Sequence, residues 1–168
     1  MRRYNRIKEE WDIINGEFLI IGYPTVMLSS RTFVRIQKDA ERILGEGAAI
    51  IFYEAGKKVI LESIERFQRE WKLEGEELVR GLEEFYAELG FGKFKTGKPG
   101  EEMLIKIENS FIAKEYGKSE APVCHFLRGY CAGISEILTG EKMDAEETKC
   151  LAKGDSYCEF VARPAGIE

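Results

Sequence analysis

Four cysteines, a single histidine and a run of acidic side chains near the C-terminus are the residues of this chain best suited to chemistry. Two of the cysteines, Cys150 and Cys158, close the segment CLAKGDSYC, with Gly154 and Asp155 near its middle. If Lys153-Gly154-Asp155 forms a three-residue hairpin loop, Cys150 and Cys158 face each other with Cβ atoms about 4.5–5.5 Å apart. Two thiolates so placed can share a metal ion, two thiols can simply be buried, and a slightly closer approach makes a disulfide. The hairpin alone leaves all three open.

Further ligands would decide between them. Glu147 lies three residues before Cys150, so strict strand alternation puts it on the opposite face unless the strand starts late or bulges there. Glu146 and Asp144 compete for the same role. A third sulfur would come from Cys124 or Cys131, which are seven residues, or roughly 10 Å, apart along one helix and so do not share an ion. Cys124 falls in the first helical turn, where the positive end of the dipole favours thiolate. Cys131 sits in mid-helix and fits a small buried apolar residue. His125 points about 100° away from Cys124 on a helix and fits a structural side chain better than a ligand.

Several elements must position these groups. Residues 16–28 read as a strand pair or an extended segment around Tyr23-Pro24. Ser29 or Ser30 then caps a helix carrying Phe33, Ile36, Ala40 and Ile43/Leu44, with Gly45 as its stop. The longest helix spans 47–71, with Ala48, Ile51/Phe52, Ala55, Val59/Ile60, Ile64 and Phe67 as its apolar stripe. Gly56 interrupts that stripe at a cost of about 1 kcal/mol against Ala, which close helix packing or room for a ligand would justify. A third helix covers 76–89. Residues 91–95 and 102–117 read as strands or hairpin arms. A helix over 119–140 follows, with Pro122 in its first turn and Gly140 at its end. Strands over 142–152 and 156–163 finish the chain. The pattern predicts an α+β fold, an antiparallel sheet packed against several helices.

The chain has 168 residues, enough for one domain over 1–168 with its own core. Its net charge of -5 argues against a general nucleic-acid binder, which needs a basic face. The opening MRRYNRIKEEWDIING lacks the apolar core of a signal peptide, and no apolar run approaches the roughly 20 residues that span a bilayer. A cytoplasmic protein with no membrane partner is expected, where thiols stay reduced. Scarce Asn and Gln beside abundant Glu and Lys fit a thermophilic source, where intracellular disulfides do occur.

Two stretches carry a resemblance. CHFLRGYCAG (124–133), followed by EETKCLAKGDSYCEF (146–160), resembles the 4-vinyl reductase family, also called the hydrocarbon-binding domain, in its stand-alone archaeal form. The strongest match covers 120–163, and FYEAG (52–56) is similar to the family's midchain helix. The resemblance implies the ligand-binding fold shared by nitric-oxide signalling and Golgi transport proteins, with an apolar pocket between sheet and helices, often in a homodimer. It also implies zinc held by three Cys and one Glu, which fall on Cys124, Glu147, Cys150 and Cys158. Four protein ligands make a closed, structural zinc site that does not activate water. One departure matters. Phenol-sensing members hold the ligand hydroxyl with groups that include a mid-domain His, which this chain lacks, so an aromatic alcohol is not implied.

Three functions follow. The leading expectation is a binding or sensing domain for a hydrophobic, hydrocarbon-like small molecule, with structural zinc. Its candidate pocket residues are Phe52, Tyr53, Gly56, Val59, Phe85, Tyr86, Met103, Ile105, Phe126 and Tyr130. The alternative is an assembly subunit acting through a dimer or partner surface, which an exposed apolar patch would favour. Reduction of a vinyl group is disfavoured, because the chain shows no dinucleotide fingerprint and GFGKFKTGKPG (90–100) lacks phosphate-loop spacing.

Overall fold

Turn and cap chemistry set the order of elements in the computed structural model, which describes residues 11–20, 22–100 and 102–166. Asn15 and Gly16 both take positive φ, 52° and 86°, and make the tight turn between β1 (Trp11–Ile14) and β2 (Glu17–Ile20). β3 (Tyr23–Thr25) pairs with β2, so these strands form an antiparallel sheet in the order β1-β2-β3. The extended segment expected over 16–28 is therefore β2 and β3, and β1 adds a strand ahead of it.

Ser29 caps α1 (Ser30–Leu44), its hydroxyl accepting the Thr32 N–H at 3.1 Å. Gly45 ends α1 at φ 58° and leads directly into α2 (Glu46–Trp71). α3 spans Gly75–Glu88 and is followed by β4 (Lys93–Thr96) and β5 (Met103–Glu108). The strand expected to run on to residue 117 stops at Glu108. Asn109 takes φ 58°, and the Ser110 hydroxyl then caps a short helix, α4 (Phe111–Tyr116), by accepting the Ala113 N–H. α5 (His125–Thr139) starts six residues later than 119, with Cys124 as its N-cap and Pro122 still outside the helix. Gly140, at φ 74°, ends it as expected. β6 (Met143–Lys149), a 3-10 turn (Leu151–Lys153) and β7 (Cys158–Pro164) close the chain.

The second sheet is antiparallel throughout, in the order β4-β5-β7-β6. Met103, Ile105 and Ile107 alternate along β5 and are fully buried, as are Phe160 and Ala162 on β7. α5 covers this face over β6 and β7, and α3 covers it at β4. α2 then packs across the outer side of α5. A Cβ on Gly56 would overlap the Phe126 carbonyl oxygen, and one on Gly129 would overlap that of Tyr53. The mid-helix glycine of α2 thus serves close helix packing rather than ligand space. α5, buried on both sides, is apolar or small nearly all round, from Leu127 to Ser135. Helices with an antiparallel sheet match the expected α+β class. Among the described residues, no helix is long and apolar enough to cross a membrane.

Candidate metal centre and apolar cleft

The start of α5, the end of β6, the turn after it and the first residue of β7 meet at one point. The β6–β7 register runs Glu147↔Phe160 and then Lys149↔Glu159, so Thr148 is an extra residue in β6. This bulge cancels the alternation that would have separated Glu147 from Cys150 and turns both inward. The ladder ends at Lys149↔Glu159, and the connection to β7 is longer than a three-residue hairpin. Lys153 N–H closes onto the Cys150 carbonyl at 2.9 Å, and the Asp155 carboxylate accepts the Cys150 N–H at 2.8 Å. That folded connection, rather than a simple cross-strand pair, brings Cys150 near Cys158.

The Sγ atoms of Cys124, Cys150 and Cys158 and a Glu147 carboxylate oxygen lie within 4.8 Å of one another. The three cysteines are fully buried and Glu147 is 6% exposed. Cys124 Sγ and Cys158 Sγ stand 3.7 Å apart, close to the about 3.8 Å separating two sulfurs that are each ~2.3 Å from a tetrahedral zinc. The Leu151 N–H points at Cys158 Sγ from 3.4 Å. Glu147 Oε2 accepts the Cys124 N–H at 2.9 Å, while its buried Oε1 has no hydrogen-bond partner. An unpaired carboxylate oxygen beside three buried sulfurs is costly without a cation and natural with one. The donor set therefore fits a tetrahedral ion of intermediate softness.

The charges agree. Burial pushes the Cys124 thiol up. Burial, and after it the neighbouring Cys150, raise Glu147 to about 8. Hydrogen bonds from Cys124 and then Cys158 hold the Cys150 thiol well below its ordinary range. Without metal the cluster keeps one thiolate and retains its other protons, and a dication would displace them.

The competing ligands lie elsewhere. Cys131 is buried in α5 outside the cluster, and all four cysteines are free thiols. The Glu146 side chain is 71% exposed beside Arg163. Asp144 accepts the Tyr53 hydroxyl. His125 faces Glu41 at 3.8 Å, and burial, then Arg128, hold its pKa down.

The ten candidate pocket residues divide three ways. Phe85, Tyr86, Met103, Ile105 and Tyr130 fill the core between helices and sheet, with Tyr86 and Tyr130 ring centroids 4.6 Å apart. Phe52, Tyr53, Gly56 and Phe126 lie along the α2–α5 contact. There Phe52 and Phe126 pack edge-on against Phe33, and the Arg128 guanidinium sits over Tyr53. Val59 is 42% exposed on the outer face of α2, apart from the other nine. None of the ten lines the apolar cavity that the described residues do form. That cavity, about 250 Å³, opens between the connector before α1, the end of α3 and the start of α4. Val26, Leu28, Phe33, Leu89, Phe91 and Phe111 line it, with Ser29 and Ser30 on one side. The sequence signal for it was the apolar run Val26-Met27-Leu28 ahead of the Ser29 cap and Phe91 held between two glycines.

The family model of the vinyl-4-reductase domain matches residues 103–164. An uncharacterized protein of Methanocaldococcus jannaschii, MJ0150, is 30% identical over 120 residues, covering 71% of this chain and 66% of that protein. The phenol regulator MopR of Acinetobacter guillouiae is 30% identical over 87 residues, 52% of this chain and 13% of MopR. The chain thus spans just under two thirds of the first relative and a small part of the second. Among solved structures, the phenol-responsive sensory domain of the transcription activator PoxR, crystallised with phenol, superposes with a TM-score of 0.80. The match covers 95% of this chain and 87% of that one at 16% identity. An H-NOX domain from Shewanella oneidensis has a TM-score of 0.56 at 11% identity, over 96% of this chain and 87% of the other. A trafficking protein particle complex subunit from Naegleria fowleri, covalently bound to palmitic acid, has 0.52 at 13%, over 80% and 94%. At these identities the three structures establish the fold.

Proposed function

The chain belongs to the vinyl-4-reductase domain family, and from that membership we propose that it is a sensor-type domain binding an apolar small molecule, its fold pinned by structural zinc. The observation that carries this reading is the match, over 95% of the chain, to a sensory domain crystallised with phenol. The sequence relationship to the phenol regulator MopR supports it. Residues 1–168 act as one such domain. The single histidine, His125, is engaged with Glu41 at the start of α5, so the ligand class is apolar rather than specifically phenolic.

Zinc, when bound, supplies a positive centre joining Cys124, Glu147, Cys150 and Cys158. All four donors come from the protein, which leaves no position for water or substrate and makes the site structural. The chain's own residues do the rest. Cys124 anchors the N-cap of α5, and Glu147 already holds that backbone N–H. α5 in turn carries Gly129 against α2 and Tyr130 into the core. Tying the start of α5 to the β6–β7 connection therefore fixes the helix around which the layers pack. Such a thiolate site belongs in the reducing cytoplasm.

A second reading is favoured by one observation. Ile36, Ile43, Leu44, Ile50 and Ile51, on α1 and the start of α2, are each more than 50% exposed. Apolar side chains so exposed suit an interface, and a second copy of the chain covering them would make a homodimer. Native mass spectrometry of the full chain, purified without chelators, tests both readings. One zinc per chain and a retained or added apolar molecule are expected, with a dimer mass for the second reading. A metal-free chain two protons lighter overturns the zinc assignment. A chain that neither retains nor takes up any apolar compound overturns the sensor reading.

A further inference from the structure

Resting on the sensor reading, we infer that the ligand site is the cleft at the helix ends, and that its ligand is an uncharged, apolar molecule of roughly bicyclic size. The cleft's floor is three phenylalanine rings in mutual contact. Phe33 and Phe111 have centroids 5.2 Å apart, and Phe91 and Phe111 are 5.0 Å apart. Each ring is backed by the body of the protein. Phe33 rests on Phe52 and Phe126, and Phe91 on Tyr86.

Backbone hydrogen bonds hold this floor in place. Phe91 N–H donates to the Tyr86 carbonyl at 3.0 Å, and Phe111 N–H to the Phe91 carbonyl at 3.3 Å. Gly92, at φ 130°, makes the bend beside Phe91, where a Cβ would meet the Glu108 carbonyl oxygen at 2.9 Å. The floor is thus pre-formed, as ligand sites usually are.

The rim tells the occupant's chemistry. Val26 and Leu28 are 81% and 59% exposed, large apolar side chains with water as their main neighbour. No charged side chain lines the cleft, and the two serine hydroxyls are its sole polar side chains. Ser29 is already occupied as the cap of α1. A charged ligand would find no counter-charge here, whereas a neutral apolar one would cover the rim and stack on the floor. Size follows from volume. A cavity of ~150 Å³ takes benzene, so one of about 250 Å³ takes a molecule of about ten non-hydrogen atoms.

Naphthalene is the matching probe. Titrated into the full zinc-loaded chain and followed by methyl NMR, it is expected to shift Val26, Leu28 and Leu89 saturably. Leu28→Asp, at an exposed position, is expected to weaken that binding at least tenfold without lowering the melting temperature. Shifts centred instead on Leu82, Ile105 and Ile134 would overturn the site while leaving the sensor reading intact. So would binding that Leu28→Asp does not weaken. If naphthalene produces no saturable shift, the ligand class is wrong, and retention of another apolar molecule in the native mass spectrum separates that failure from failure of the sensor reading.

Discussion

The metal cluster and the apolar cleft solve opposite problems with the same chain. At the cluster, polar atoms converge out of water: three sulfurs and a carboxylate oxygen lie within 4.8 Å, and one oxygen has no partner. At the cleft, apolar atoms stay in contact with water: Val26 and Leu28 are mostly exposed above a floor of rings. Each arrangement is unfavourable alone, and each is relieved by a different guest, a cation in one and an uncharged apolar molecule in the other. The cluster has no free corner and is suited to holding structure. The cleft is open on one side and is suited to exchange.

If that division is right, the two regions respond to different perturbations. The largest effect is expected from stripping the metal. A chelator, or Cys150→Ser, should lower apparent stability by about 4 kcal/mol when zinc was present at a thousandfold above its Kd. Denaturant unfolding with and without chelator reads this, and equal midpoints would remove the structural role. Next is Gly129→Ala, in the helix that links the two regions. Its Cβ would overlap the Tyr53 carbonyl oxygen, so the variant should lose about 1–3 kcal/mol through forced separation of α2 and α5 while keeping its zinc. A smaller loss, about 1 kcal/mol, is expected for Cys131→Ala. That thiol is buried outside the cluster, so metal content should be unchanged, and its loss would blur the boundary of the site. Smallest of all, Leu28→Asp should change stability by no more than about 0.5 kcal/mol, because the side chain lies on the exposed rim. A large destabilisation there would mean that the cleft is part of the core rather than a place for a guest.

The legible parts of the fold were those that local chemistry decides. The Ser29 cap, the stops at Gly45 and Gly140 and the α2 stripe are written within a few residues, and the helices stand within a few residues of where the pattern puts them. α4 escaped because its six residues are too few for helical periodicity to register after a strand. The start of α5 shifted because Pro122 sits in the loop that delivers Cys124 to the cluster, not in the helix. For the cluster, the residues alone left Glu146, Asp144 and Glu147 in competition, since only the pairing with β7 creates the bulge at Thr148. The family resemblance pointed to Glu147, and the register supplies the physical reason the side chain reaches. The cleft was the least legible. Its walls come from residues 26–33, 89–91 and 111, which no single periodic stretch contains. The conspicuous aromatics Phe85, Tyr86 and Tyr130 instead fill the core.

X-ray absorption at the zinc edge on the full, unchelated chain tests the central claim most directly. The account predicts three sulfur neighbours at about 2.3 Å and one oxygen at about 2.0–2.2 Å, with no further water. Loss of one sulfur in Cys124→Ser, Cys150→Ser or Cys158→Ser, and of none in Cys131→Ser, should accompany it. Fewer than three sulfurs, a coordinated water, or a spectrum altered by Cys131→Ser would contradict the closed structural site.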